Sequence, residues 1–191
     1  MAHVSIIGTG NMGQAISGIV TKGGNTVELI GSTDADKQVT GDVVVLAVPY
    51  PAVSQVLAAR GESLAGKVVV DITNPLDFAT FDSLTVPADG SAAAEIAAAL
   101  PQSRVLKAFN TTFAGTLATG SVGPLTTTVL IAGDDGDAKS LLAGIVTAGG
   151  LRAVDAGSLR RARELEALGF LQLTLAAAEK ISWTGGFGLV D

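Results

Sequence analysis

Val4-Ser5-Ile6-Ile7-Gly8-Thr9-Gly10-Asn11-Met12-Gly13 is a short apolar run that ends in three glycines at the spacing G-x-G-x-x-G. The next ten residues, Gln14 to Gly23, have helical spacing, and Thr26-Val27-Glu28-Leu29-Ile30 follows the glycines at 23 and 24. The stretch predicts strand, tight turn, helix and second strand, a βαβ unit of about 30 residues. Glycines are common here, 24 in 191 residues, so the spacing alone is a weak signal. Its place after a strand and before a helix is what the motif requires. Gly8 allows a sharp turn, Gly10 lets the backbone approach a pyrophosphate, and Gly13 permits close packing of helix on strand. The helix N-terminus then turns unpaired N–H groups toward the phosphates, so the reading is a dinucleotide site.

Outward from this unit, apolar runs recur at Asp42 to Val48, Lys67 to Ile72, Arg104 to Phe109 and Thr127 to Ala132. Helical patterns lie between them at Pro51 to Arg60, Ser91 to Leu100 and Asp137 to Ala148. The alternation predicts an α/β fold of Rossmann type, a doubly wound, mostly parallel sheet covered on both faces. Residues 1–156 form the dinucleotide-binding domain in this reading. Residues 157–191 form a C-terminal helical extension, one long helix from Ser158 to about Ser182, uncharged from Ala167 to Ala178. A helix apolar on nearly every side needs cover that one sheet face cannot give, which points to a homodimer through this helix. Asp77 to Gly90 is the longest irregular loop and is expected to be a lid or pocket wall.

Composition excludes a good deal. There is no cysteine and one histidine, so disulfides, thiolate chemistry, Cys-ligated metal and a serine–histidine triad fall away, and no metal site is expected. Twelve Lys and Arg against eighteen Asp and Glu give a net charge of −6, which opposes nucleic acid and anionic membranes as partners. No uncharged stretch reaches the roughly 18 apolar residues of a membrane span, and Met1 leads directly into a strand, so neither a span nor a signal peptide is expected. Cytoplasm is the expected location.

The end of the second strand selects the cofactor. A chain built for NAD usually places Asp or Glu about 20 residues after the glycines to bind the ribose 2′-hydroxyl. Gly31-Ser32-Thr33 stands there instead, and small hydroxyls followed by Lys37 suit a 2′-phosphate, so NADP is preferred over NAD. Asp34 and Asp36 oppose this if either turns back toward the ribose. The run Gly61 to Lys67 has P-loop spacing, but Val68 replaces the required Ser or Thr and a strand follows. His3 is read as structural. Lys107, Tyr50 and Asn110 are weak catalytic candidates, and for Lys107 an ordinary structural or loop-anchoring role is the favoured reading. Tyr50, the sole tyrosine, follows Val48-Pro49 at a strand's carboxyl end. There it would either stack on a flat ring or simply pack on the surface. Arg152, Arg160, Arg161 and Arg163 read first as a solvated helix face, with attraction of an anionic substrate tail as the alternative.

The ordered set Gly8 to Gly13, Ala47-Val48-Pro49, Asp71-Ile72-Thr73-Asn74-Pro75, Lys107-Ala108-Phe109-Asn110-Thr111, Gly133-Asp134-Asp135, Asp155-Ala156-Gly157 and Arg163-Glu164-Leu165-Glu166 resembles the NADPH:deazaflavin oxidoreductases, and within them a short bacterial branch. These enzymes exchange hydride between NADP and coenzyme F420. The resemblance implies a Rossmann domain with a small helical C-terminal part, usually dimeric. It implies that Thr9, Asn11 and Met12 line the diphosphate, and Ser32, Thr33 and Lys37 the 2′-phosphate. It further implies that Val48, Pro49, Thr73 and Asn74 border ribose and nicotinamide, with Ala132 and Gly133 near the ring. Thr33 stands where many relatives carry Arg, and the connection from Ser32 to Asp42 is too short for their helix.

Reducing a carbonyl or imine needs a proton donor, for which only Tyr50 and Lys107 are available, whereas hydride transfer to a flavin-like ring makes a lighter demand. The expected activity is direct hydride exchange between NADPH and a small-molecule redox partner, a deazaflavin or FMN/FAD. The alternatives are an imine or keto-acid reductase using Lys107 and Asn110, and an NADP-sensing module without turnover.

Overall fold

The computed structural model describes residues 1–190. Five strands follow the expected alternation: β1 (His3–Ile7), β2 (Thr26–Ile30), β3 (Val43–Leu46), β4 (Val68–Asp71) and β5 (Arg104–Lys107). Helices α1 (Asn11–Lys22), α2 (Tyr50–Arg60) and α3 (Ala92–Ala99) lie between them. The chain then forms α4 (Ala114–Thr119), a small hairpin β6 (Ser121–Val122) and β7 (Leu125–Thr126), and β8 (Thr128–Gly133). It closes with α5 (Gly136–Ala148), β9 (Arg152–Gly157), a 3-10 turn at Leu159–Arg161 and α6 (Ala162–Ala177). The main sheet has seven strands in the order β2-β1-β3-β4-β5-β8-β9. The first five are mutually parallel, β8 is antiparallel to β5, and β9 is parallel to β8. The fold is thus a Rossmann-type, mostly parallel α/β sheet with a C-terminal helix.

Residue alternation decides which face each strand side chain serves. Val4, Ile6, Val43, Val45, Val68, Val70, Leu106 and Ala108 pack with Ile16 and Ile19 of α1 and Leu142 and Ile145 of α5. Ile7, Val44, Leu46, Val69 and Val105 face the other way, onto Val53 of α2 and Ile96 of α3. Each fully buried Val, Leu or Ile contributes roughly 1.5–3 kcal/mol. On this second face the alternation also sets polar residues side by side. Ser5 is in register with Glu28, and Asp71 with Lys107.

Several expectations need correction. The helix read from Ser158 to Ser182 is shorter: a 3-10 turn precedes α6, which ends at Ala177. The stretch holding Arg152 is strand β9, whose outward positions tolerate charge at a sheet edge. The boundary drawn at residue 156 therefore falls inside the last strand. As expected, the link from Ser32 to Asp42 holds no helix; the Arg60 guanidinium fastens it, donating to the carbonyls of Asp34 at 2.5 Å, Lys37 at 2.5 Å and Ala35 at 3.2 Å. His3 is structural, its ring nitrogens bonded at 2.8 Å to the hydroxyls of Thr26 and Thr40.

Candidate functional site

The carboxyl ends of the parallel strands form the site's edge, and the glycine turn sits at its centre. Gly8 has φ 120°, a conformation that an L side chain rarely adopts, and a Cβ there would lie 2.1 Å from the Ala47 carbonyl oxygen. A Cβ on Gly13 would lie 2.2 Å from the Gly8 carbonyl oxygen, so α1 touches the turn directly. A Cβ on Gly10 would meet nothing within 4 Å. Its backbone faces open space, which is the approach a pyrophosphate needs. Among the described residues no side chain caps α1 and its first turn holds no acidic residue. Its N–H groups and positive dipole end are thus left for an anion. Thr9 and Asn11 are exposed on this turn and Met12 is half-buried.

At the end of β2, Ser32 and Thr33 are exposed. Asp34 does turn back: its Oδ2 accepts the Gly31 N–H at 2.8 Å and closes the turn there, while Asp36 stays exposed. The Lys37 ammonium donates to the Leu29 carbonyl at 2.7 Å, which sets it beside the same strand end. Val48 is half-buried and Pro49 exposed after β3.

Tyr50 begins α2 and its hydroxyl donates to the Glu95 carboxylate in the first turn of α3. Together with Val53, Leu57, Ile96 and Ala99 they line a groove of about 390 Å³ between the two helices. Burial, the bond to Glu95 and the charges of Glu95, Glu166 and Asp71 all push the Tyr50 phenol well above its ordinary value. It is a poor proton donor in that setting.

At the ends of β4 and β5 the structure buries Lys107 in an ion network. Its side chain is fully buried, with the ammonium making two hydrogen bonds and one further ion pair. They go to Asp71 Oδ2 at 2.7 Å, the Thr73 carbonyl at 2.6 Å and Glu166 Oε1 at 2.8 Å. Glu166 in turn accepts the N–H groups of Ala92 at 2.9 Å and Ala93 at 3.3 Å, the start of α3. Burial raises the Glu166 carboxyl above its ordinary value, against the pull of Lys107 and the Ala92 N–H. This ion network joins β4, β5, α3 and α6. It leaves Lys107 without access to a substrate. Sequence reading assigned no role to Asp71 or Glu166; a charge ending Val68-Val69-Val70-Asp71 and another inside Leu165-Glu166-Ala167 are the available signals.

Beside the network, Asn110 donates through Nδ2 to Asn74 Oδ1 at 3.0 Å and to the Leu165 carbonyl at 2.8 Å. Asn74 donates back to the Asn110 carbonyl at 3.0 Å. Gly169 of α6 presses on this pair, since a Cβ there would lie 2.4 Å from Asn74 Oδ1. Asn74 and Asn110 thus seat α6 over the sheet edge. Among the described residues, Thr73 Oγ1 and Asn110 Oδ1 are buried polar atoms with no hydrogen-bond partner.

Ala132 and Gly133 lie at the carboxyl end of β5 but inside the sheet. Because β8 runs antiparallel to β5, they stand beside Lys107 and Leu106 within the sheet, and both are buried. A Cβ on Gly133 would lie 2.2 Å from Leu106 Cδ2, so this glycine serves strand packing. Asp134 and Asp135 are structural as well, accepting from Leu159 N at 2.9 Å and from Ala138 N at 2.8 Å. Among the described residues there is no cluster of His, Cys, Asp and Glu able to hold a metal, and no helix is long and apolar enough to cross a membrane.

Comparison with known proteins agrees with this geometry. Residues 27–75 match the family described as NADP oxidoreductase, coenzyme F420-dependent. The chain is 32% identical over 171 residues to an F420-dependent NADP reductase of Methanocaldococcus jannaschii, covering 87% of this chain and 76% of the relative. It is 34% identical over 161 residues to the enzyme of that name from Methanothermobacter marburgensis, covering 81% and 71%. In fold it matches a crystal structure described as a putative F420-dependent NADP reductase from an Arthrobacter species, with a TM-score of 0.87, 24% identity and full coverage of both chains.

Proposed function

This chain belongs to the F420-dependent NADP reductase family, and from that premise we propose that it transfers a hydride directly between NADPH and a deazaflavin of the coenzyme F420 type, with FMN or FAD as alternative acceptors. The observation that carries the proposal is the glycine turn, where Gly8 and Gly13 are locked by backbone contacts of 2.1 and 2.2 Å while Gly10 faces open space. When bound, NADPH supplies the hydride and the deazaflavin ring accepts it. The chain's own part is to bind and orient. The α1 N-terminus with Gly10 and Asn11 holds the diphosphate, and Ser32, Thr33 and Lys37 take the 2′-phosphate. Val48, Pro49, Thr73 and Asn74 border the nicotinamide half, where small and apolar groups keep water from the ring and let a second flat molecule approach to about 3–3.5 Å.

Preference for NADP over NAD is supported by the two exposed hydroxyls and the lysine at the end of β2, while the Asp34 carboxylate, turned back onto the Gly31 N–H at 2.8 Å, works against it. Reduction of an imine or keto acid through Lys107 is not supported, because that ammonium is sealed from solvent and paired with Asp71 and Glu166. A second copy of the chain is proposed to cover the C-terminal helix, where Leu171 and the following Trp183, Phe187 and Leu189 stand exposed.

NADPH oxidation followed at 340 nm against F420, FMN and FAD in parallel tests the function. Turnover fastest with F420 is expected. Tight NADPH binding without oxidation by any of the three would identify a sensor instead.

A further inference from the structure

The loop after β2 runs from Gly31 to Asp42 with neither helix nor strand. It begins as two successive turns, in which the Asp34 N–H donates to the Gly31 carbonyl at 3.2 Å and the Lys37 N–H to the Asp34 carbonyl at 3.1 Å. A cleft of about 820 Å³ lies between residues 36–39 of this loop and residues 57–63 at the end of α2. The half-buried Arg60 reaches from that end of α2 to the loop. Its Nη2 donates to the carbonyls of Asp34 at 2.5 Å and Ala35 at 3.2 Å, and its Nη1 to that of Lys37 at 2.5 Å. The first and last carbonyls of the second turn are thus gripped by one planar fork, a geometry that guanidinium supplies and ammonium does not. These three bonds all go to backbone and none to a carboxylate, so they fix the shape of the loop rather than balance a charge.

From this geometry, and resting on the proposed function, we infer that Arg60 is a positioning residue that sets the preference for NADP over NAD. It does not bind the 2′-phosphate itself; it holds Ser32, Thr33 and Lys37 where they meet it. The gripped turn starts directly after Thr33 and ends on Lys37, whose ammonium returns to the Leu29 carbonyl at 2.7 Å. The end of β2 also lies against the glycine turn. The Gly8 N–H donates to the Ile30 carbonyl at 2.9 Å, and a Cβ on Gly31 would stand 3.5 Å from Thr9 Cγ2. Without the guanidinium the loop would present its three polar side chains over a spread of positions, and ordering them would count against binding. NAD lacks the phosphate that these side chains meet. The loss therefore falls on NADP alone, although Arg60 stands on a different helix from the side chains it serves.

The test uses Arg60→Met, Arg60→Lys, Lys37→Met and the double variant Arg60→Met with Lys37→Met in the full chain. Calorimetric Kd values are taken below the melting temperatures for 2′-phospho-ADP-ribose and ADP-ribose, which differ only in the phosphate. For Arg60→Met the expected result is a Kd for 2′-phospho-ADP-ribose raised about tenfold, the weight of one charged hydrogen bond lost from good geometry, with the Kd for ADP-ribose unchanged. Arg60→Lys keeps the charge but cannot hold the three carbonyls together, so it should lose nearly as much. It carries the test should Arg60→Met not fold. Added to Lys37→Met, Arg60→Met should cost less than it does alone, because part of its effect passes through that lysine. Unchanged affinity for 2′-phospho-ADP-ribose, equal weakening toward both ligands, full recovery in Arg60→Lys, or full additivity with Lys37→Met overturns the inference. A wild-type chain that binds the two ligands equally overturns the proposed NADP preference itself.

Discussion

Replacing Lys107 with Met removes the one cation from a sealed site and leaves the Asp71 and Glu166 carboxylates facing each other's neighbourhood without it. The ammonium makes three short contacts of 2.6–2.8 Å, two of them to carboxyl groups. Gross bond energies overstate what is lost, because desolvating the three charges offsets much of the attraction. The relevant quantity is the charge left uncompensated, about 3–5 kcal/mol for breaking a buried pair. With a urea m value of about 2 kcal/mol/M for a chain of this size, the unfolding midpoint should fall by about 1.5–2.5 M at pH 7. The deficit should narrow as pH falls toward 5. Burial already holds the Glu166 carboxyl above its ordinary 4.5, and loss of Lys107 raises it further. A carboxyl with a folded pKa above its unfolded one binds a proton more readily in the fold, so acid favours the folded variant. Urea melts at the two pH values, paired with NADPH oxidation normalised to folded protein, make the measurement. A loss of activity of no more than a few-fold is expected. An unchanged midpoint with a rate loss above about a hundredfold would refute the reasoning and make Lys107 a proton donor.

Other perturbations probe the remaining parts. Gly169→Ala places a Cβ 2.4 Å from Asn74 Oδ1, and overpacking of about 1–3 kcal/mol outweighs the roughly 1 kcal/mol gained in helix propensity. Its melting point should therefore drop by several degrees, and a rise would show that α6 is not seated on the asparagine pair. Gly8→Ala should fail to fold, given the 2.1 Å approach to Ala47, while Gly10→Ala should melt as wild type yet bind NADPH at least tenfold more weakly. Equal nucleotide affinity in Gly10→Ala would remove the phosphates from this turn. Thr33→Arg should raise discrimination of NADPH over NADH about tenfold, measured as the ratio of kcat/KM. Glu28 is affected first by burial, which raises its pKa, but the bonds from Ser5 and Thr40 win and hold it below its ordinary 4.5. Its contribution is present above that value and is lost as pH falls through the lower folded value, so Glu28→Gln should flatten the acid limb of a stability–pH curve.

Much of the fold could be read from the chain because its signals are local. The Gly8 to Gly13 turn, the runs at β3 to β5 and the helices α2, α3 and α5 each declare themselves within a dozen residues. What escaped reading depends on distant partners. Lys107 and Asp71 are 36 positions apart and meet only through strand register, and Glu166 reaches Ala92 across 74 positions. β9 was hidden because its sequence, Arg-Ala-Val-Asp-Ala-Gly, carries a charge on each face of an edge strand. α4 has only six residues, too few to show a period. Reversal of β8 was not legible either, since strand direction is not written in composition; it pairs Ala132 and Gly133 with Lys107 and Leu106 at the carboxyl end of β5.

The link between β2 and β3 has a consequence for remodelling. It carries no secondary structure of its own: the Arg60 guanidinium and the Lys37 bond to Leu29 fasten its first half, and Thr40 and Gly41 are bonded to Glu28, His3 and Ser5 at its far end. Lengthening such a segment is thermodynamically mild, about 0.6 kcal/mol for each doubling. This link, the proposed adenosine rim, is therefore a replaceable border: grafts of different length and charge can be exchanged between two fixed strand ends while the central sheet stays as it is.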